Sequence, residues 1–334
     1  MRMTVFGCDG EERALFCEYA KSYGVGLNLV EESVSAGNAR LSGGSGCISV
    51  NHRNRLDESV LRALKDGGTE FVTTRSIGTD HIDVSAANRL GITVEAVVYT
   101  VDSVADYTVM LILMALRNAK DVLARAGNGD FSLSCARSPD LREMTVGVIG
   151  AGRIGQKVIA RLRPFGCRIL VCGSEKAAGE IFLPFDELIG QCDVLTFHLP
   201  LTAQTGHILN GRNMGNVKNG AYIVNTARGG LIDTAALLNA LERRQLRGAA
   251  LDVIEREEVV FCRNRRGEPN EDTIFLRLCA LPNVIITPHT AFYTRRTLLD
   301  TVENTVLKCL KYEKDRRDIR GVEVCAAQRC GRGK

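Results

Sequence analysis

The sequence has no tryptophan, no C-x-x-C pair among its 12 cysteines and no apolar run long enough to span a bilayer. Each absence excludes a class of function. Without Trp and without interleaved aromatic and basic residues, no nucleic-acid-binding module is expected. Without C-x-x-C there is neither a zinc ribbon nor a thioredoxin motif, and no metal is expected. The densest apolar run covers 109–116, far short of the roughly 20 residues of a spanning helix, so no membrane association is expected. Residues 1–8 enter a strand-like run at once and lack a signal-peptide core, which implies a cytoplasmic location. The scattered cysteines read as reduced thiols, mostly filling small core sites. Charge of one sign is also scarce. The net charge is only +4, and the segment from Lys308 onward carries nine basic and four acidic residues, a net of +5, so the remainder carries −1. The basic excess belongs to the C-terminal tail.

What is present is a repeating alternation of short β-branched runs and helical patterns. At roughly 150 residues per domain, 334 residues suggest two domains. Strands are expected at 3–8, 25–30, 47–50, 70–74 and 92–95, with helices at 11–23 and 57–65, the latter capped by Asp57. Further strands are expected at 145–149, 168–172, 194–197, 221–224, 248–252 and 284–287, with a helix at 153–165. The order implies parallel sheets covered on both faces, an α/β fold of two Rossmann-like or flavodoxin-like domains with a cleft between them. A long helix over 102–118 is apolar on nearly every face across 109–116. It therefore reads as a core helix or as one buried between domains or subunits. The tail from about residue 321 is the one candidate for disorder.

Gly150-Ala151-Gly152-Arg153-Ile154-Gly155 follows an apolar strand and opens a helix, with a second strand some 20 residues on. This is the dinucleotide-binding arrangement. Gly150 permits the tight turn, Gly152 lets a pyrophosphate approach the backbone, and Gly155 lets the helix pack on the sheet. The helix N-terminus then faces the phosphates. The second strand ordinarily ends on an acid that holds the ribose hydroxyls, but Gly173 stands there. A 2′-phosphate is then not repelled, and Ser174, Lys176 or Arg153 could contact it. NADPH could be accepted or preferred; alternatively, Glu175 takes the acid's role.

Three later segments each follow an expected parallel strand: Asn225 to Asp233 containing Arg228, Leu251 to Glu257 containing Asp252, and Thr287 to Thr294 containing His289. An Arg, a carboxylate and a His at one sheet edge suit reduction of the carbonyl of an acid. The Arg holds the carboxylate, the His transfers the proton, and the acid keeps the imidazole charged and oriented.

With these segments the chain resembles the NAD(P)-dependent D-2-hydroxyacid dehydrogenase family over nearly its whole length. It is most like D-lactate dehydrogenases of the vancomycin-resistance (VanH) type. The stretches that carry the resemblance include Thr74 to Asp83, Asp102 to Thr108, Ala249 to Val253, and Pro282 to Thr294. The resemblance implies that Arg228 anchors the substrate, His289 is the acid/base and Glu257 its partner. Asp252 would lie near the nicotinamide carboxamide. His198, Pro200, Thr226 and Ala227, with Gly150, Gly152, Arg153, Ile154, Gly155, Gly173 and Ser174, would surround NAD(P)H. The amides around Ile77 and Gly78, with Tyr99, would meet a small 2-keto or 2-hydroxy acid. It further implies a substrate domain of 1–100 plus 295–334, a dinucleotide domain of 101–294, a final helix over 295–314 packed on the first domain, and a homodimer through helix 102–118. D-lactate made this way would supply D-Ala-D-Lac cell-wall precursors.

Two departures stand out. Arg256 replaces the usual Gly between the two acids, so Glu255, Glu257 and Glu258 compete for the partner role; spacing from Asp252 favours Glu257. Tyr99-Thr100-Val101 replaces Tyr-Ser-Pro, which could relax substrate size. Two alternatives remain: an NADH-sensing transcriptional corepressor on the same fold, and a phosphoglycerate- or hydroxypyruvate-type dehydrogenase.

Overall fold

The computed structural model describes residues 1–133, 137–173, 179–261, 264, 266 and 272–330. The chain forms two compact units, Met1–Thr100 with Arg295–Lys334, and Val101–Thr294.

The first unit begins with β1 (Arg2–Phe6), α1 (Gly10–Ser22), β2 (Gly26–Val30), β3 (Cys47–Val50), α2 (Glu58–Asp66), β4 (Phe71–Thr74), α3 (Val84–Arg89) and β5 (Thr93–Ala96). Its five strands are ordered β2-β1-β3-β4-β5, and every pair is parallel. That is the flavodoxin-like order. β3 and β4 are buried at every position, as a sheet covered on both faces requires. The side chain of Asp57 accepts from Val60 N at 3.0 Å and so starts α2. Asp9 and Asp83 cap α1 and α3 in the same way. Each such cap contributes about 1 kcal/mol.

The second unit contains α4 (Asp102–Leu116), α5 (Ala119–Gly127), β6 (Thr145–Ile149), α6 (Arg153–Leu162), β7 (Arg168–Cys172), β8 (Ile181–Phe182), α7 (Phe185–Ile189), β9 (Val194–Phe197), β10 (Ala221–Asn225), α8 (Thr234–Glu242), β11 (Leu246–Leu251), α9 (Thr273–Ala280) and β12 (Val284–Ile286). Its sheet is parallel throughout, in the order β12-β11-β10-β9-β6-β7-β8. Strand order therefore reverses between β6 and β9. Open α/β sheets bind ligands at such a switch point, outside the carboxyl ends of the strands. Two apolar cores cover the two faces of this sheet. One contains Leu195, Phe197, Leu238 and Leu251; the other contains Leu111, Ile112, Val146 and Val158.

α4 buries Val104, Ala105, Thr108, Leu111, Ile112 and Ala115, and packs on α6 and on β10 and β11. Its burial within this unit is not complete all round: Met110 is 39% exposed. The helix also stops earlier than its composition suggests. Asn118 takes left-handed angles (φ 50°, ψ 39°), which Asn tolerates, and the chain restarts as α5. Likewise α6 ends at Leu162 in a tight turn over Arg163–Phe165, where Pro164 cannot continue an α-helix.

The chain closes with α10 (Arg295–Cys330), which packs on α1, β3 and β4 in the first unit. Val302, Val306 and Cys309 join Met3, Val5, Phe16 and Phe71 in one core, and Tyr312 stacks on Phe71 at 4.5 Å between ring centroids. The helix runs beyond the expected end at 314 as far as Cys330, into the segment expected to be disordered. Between Lys314 and Cys330 there is no proline to stop it.

Of the eight cysteines whose side chains are described, all free, only Cys8, Cys47, Cys192 and Cys309 are buried and Cys17 is exposed. Burial pushes the Cys8 and Cys192 thiols up to about 12, so neither is a thiolate nucleophile near neutral pH. Among the described residues no helix is long and apolar enough to cross a membrane, and no cluster of three or more His, Cys, Asp or Glu is placed to hold a metal ion.

Candidate active site

The glycine-rich turn lies at the switch point. Gly150 has φ +100°, and a Cβ on it would fall 2.8 Å from the His198 carbonyl carbon at the end of β9. A Cβ on Gly155 would fall 1.9 Å from the Gly150 oxygen, so α6 can start against β6 only with glycine there. At Gly152, the N-cap of α6, a Cβ would meet nothing within 4 Å. The space beside that helix N-terminus is open, as an approaching pyrophosphate requires. Gly173 follows β7, is exposed and carries no carboxylate; Ser174 lies outside the described residues. Arg153 and Ile154 form the first turn of α6.

His198 directly follows β9. Its Nε2 lies 3.0 Å from Thr196 Oγ1, while its buried Nδ1 has no hydrogen-bond partner among the described residues. Burial pushes the imidazole down to about 3, so it is neutral at ordinary pH. The open space at Gly152 and this orphaned nitrogen, on neighbouring strand ends, fit a dinucleotide with polar groups.

Arg228 ends a short loop after β10. Asn225 holds that loop: its Oδ1 accepts from Ala227 N at 3.0 Å, and its Nδ2 donates to the Arg228 carbonyl at 2.8 Å. Thr226 is buried, with its hydroxyl 2.8 Å from that of Thr108 on α4. Pro200 is exposed on the loop after β9.

Asp252 is fully buried just after β11. Its Oδ1 accepts from Thr287 Oγ1 at 2.6 Å and Thr290 N at 2.9 Å, and its Oδ2 accepts from Ala291 N at 2.9 Å. The carboxylate thus fastens the loop after β12 on both sides of His289. The His289 N–H donates to the Asp252 carbonyl at 2.8 Å, and the residue sits at φ +53°. Glu257 Oε1 lies 2.5 Å from His289 Nδ1, and the ring of Phe292 meets the imidazole edge-on at 5.8 Å. Glu255 turns elsewhere, to His207 and to the backbone of Thr234.

The structure therefore gathers Arg228, Asp252, Glu257 and His289 onto loops at the carboxyl ends of adjacent strands β10, β11 and β12. Ile77, Gly78 and Tyr99 belong to the first unit, after β4 and β5. There the Ser76 hydroxyl donates to the Gly78 carbonyl at 2.8 Å, and Tyr99 is 9% exposed. Sequence reading did not single out Asn225, Tyr107 or His207. The Tyr107 hydroxyl is 3.0 Å from that of Thr290 and supports the His289 loop from α4. The threonines on either side of Pro288-His289 were the available signal for the Asp252 clamp.

Residues 109–291 match the family D-isomer specific 2-hydroxyacid dehydrogenase, NAD binding domain. A D-specific alpha-keto acid dehydrogenase of Enterococcus faecium is 45% identical over 312 residues, covering 93% of this chain and 97% of that protein. The solved structure of a D-lactate dehydrogenase from Treponema pallidum is 28% identical with a TM-score of 0.81, covering 94% of this chain and 97% of the other. That of the pyruvate reductase of Chlamydomonas reinhardtii is 29% identical with a TM-score of 0.83 and the same coverage. The chain belongs to the D-isomer specific 2-hydroxyacid dehydrogenase family, and it is an oxidoreductase.

Proposed function

We propose that this chain reduces pyruvate or a closely related 2-keto acid to the D-2-hydroxy acid. The observation that carries this reading is the 2.5 Å contact between Glu257 Oε1 and His289 Nδ1. The carboxylate occupies one ring nitrogen and fixes the orientation of the imidazole, so the other nitrogen is the one to protonate a carbonyl oxygen. Arg228 presents a planar, permanently charged guanidinium, which suits the substrate carboxylate. Asp252 keeps the His289 loop in place through its three short hydrogen bonds. A nicotinamide dinucleotide, when bound, supplies the hydride. The backbone at Gly150, Gly152 and Gly155 and the neutral His198 would hold it. Ile77, Gly78 and Tyr99 are the further substrate contacts that the family resemblance implies.

The exposed Gly173 leaves the end of β7 without an acid at that position, which supports use of NADPH beside NADH. The 45% identity to the D-specific alpha-keto acid dehydrogenase of Enterococcus faecium supports D-specific reduction of a 2-keto acid, and the role in making D-lactate for D-Ala-D-Lac cell-wall precursors is what the resemblance to the vancomycin-resistance type implies. The exposed Met110 on α4 supports a homodimer through that helix.

The test is a panel of 2-keto acids with NADH and NADPH, followed by determination of product handedness. Turnover of pyruvate or a near homologue to the D-product is expected. An L-product, or no turnover of any 2-keto acid with either cofactor, sinks the proposal.

A further inference from the structure

The second unit contains another histidine–carboxylate pair, two residues from the one used above. His207 Nε2 lies 2.5 Å from Glu255 Oε1, and Glu255 Oε2 accepts from Thr234 N at 2.8 Å. Thr234 is the first residue of α8, so the Glu255 carboxylate rests on a helix N-terminus, where negative charge is favoured.

Three chain segments meet at this carboxylate. The first is the loop 207–209, laid alongside the chain that follows Arg228. His207 N donates to the Gly230 carbonyl at 2.8 Å, and Asp233 N donates to the Leu209 carbonyl at 2.9 Å. The second is the Arg228 loop itself. A Cβ at Gly229 would fall 2.0 Å from the Ile254 carbonyl carbon and 2.5 Å from Glu255 N, so this loop rests directly on the turn carrying the acids. The third is that turn, residues 254–257. Arg256 takes left-handed angles (φ 56°, ψ 30°), which sends Glu255 and Glu257 to different partners. Glu257 Oε2 closes the turn by accepting from Ile254 N at 3.3 Å, and its Oε1 goes to His289. A non-glycine residue in the left-handed region is strained, so neighbouring contacts must hold the turn.

We infer that Glu255 and His207 are positioning residues for the reaction. Together they fix the turn 254–257 against the Arg228 loop, and so set both the aim of Glu257 at His289 and the place of Arg228. This rests on the function proposed above. Neither residue touches the reacting atoms. They act by holding two groups in register, where an error of about 1 Å can cost about 100-fold in rate.

The test compares Glu255→Ala, Glu255→Gln and His207→Asn in protein carrying nitrogen-15 histidine. The chain has five histidines, so the ring signals can be assigned by substitution. In Glu255→Ala the His289 Nδ1 signal should move toward its position in Glu257→Gln. The 2-keto acid kcat should fall by up to about 100-fold, with KM raised and NADH binding retained. Glu255→Gln keeps an oxygen for Thr234 N and should restore most of the signal and the rate. His207→Asn tolerates the φ of +48° and removes only the imidazole; it should show an intermediate effect, and it carries the comparison if Glu255→Ala does not fold. Unchanged His289 signals overturn the inference. So does a disturbance shared equally by His81 and His198 that Glu255→Gln does not relieve. The ring signals need no turnover, so an inert parent protein counts against the proposed function alone.

Discussion

Glu257 and His289 are 32 residues apart in the chain, yet their side chains meet at 2.5 Å, Oε1 to Nδ1. The contact depends on two residues with positive φ, Arg256 at +56° and His289 at +53°. Both side chains are largely buried, at 24% and 15% exposure, so water screens the pair only partly. In Glu257→Gln the carboxylate that holds His289 Nδ1 is gone, and kcat/KM for 2-keto acid reduction should fall roughly 100-fold as the imidazole loses its aim. NADH binding should be retained. A kcat/KM equal to the parent's would remove Glu257 from the mechanism.

Gly155→Ala tests the dinucleotide turn by geometry alone. The added methyl would sit 1.9 Å from the Gly150 carbonyl oxygen, which belongs to the backbone and cannot swing aside. Either α6 tilts away from β6 or the turn at Gly150 opens. The expected cost is about 3 kcal/mol, seen as a lower urea midpoint, together with weakened NADH binding by fluorescence titration. Unimpaired binding and stability would mean that helix and strand can separate without harm.

That turn was legible in the sequence because everything it needs is local. Six consecutive residues carry the tight φ, the open N-terminus and the close approach, and the strands at Thr145–Ile149 and Arg168–Cys172 coincide with their expected bounds. The choice among Glu255, Glu257 and Glu258 was of another kind. It depends on the backbone angle at Arg256 and on His207, which lies 48 residues from Glu255. Neither leaves a local pattern. α3 went unexpected because its six residues, with two alanines and an asparagine, give no apolar periodicity. α5 was hidden for a different reason: Asn118 breaks the helix by torsion, while composition alone reads as continuous.

Asp252 shows how a buried charge can act through a loop. Thr287, Thr290 and Ala291 all donate to its carboxylate. Asp252→Asn keeps the shape but turns one end of the group into a donor, which must then face either the backbone N–H groups or the Thr287 hydroxyl. Losing charge-assisted bonds of this kind costs about 1.5–3 kcal/mol. The variant should lose stability by that order in urea unfolding. It should also lose kcat, because the clamped loop carries His289. Full stability would show that the loop after β12 is held by other contacts.

His198 supplies a pH dependence of stability that is separate from catalysis. Burial lowers its folded-state value to about 3 from an ordinary 6.5, and its Nδ1 has no partner among the described residues to offset the loss of water. Between those two values the unfolded chain takes up a proton that the folded chain refuses. Stability is therefore fully present above about pH 6.5 and falls as the medium is acidified toward about pH 3. The slope from this one group is at most about 1.4 kcal/mol per pH unit. His198→Gln has nothing to titrate in that window. Urea unfolding should show the parent losing on the order of 1 kcal/mol more than the variant on going from about pH 7 to about pH 5. Other groups titrate alike in both proteins and cancel in the difference. Parallel curves over that range would mean that His198 is hydrated and charges in the folded state, and a hydrated imidazole would also remove the orphaned nitrogen from the argument for a dinucleotide at the ends of β6 and β9.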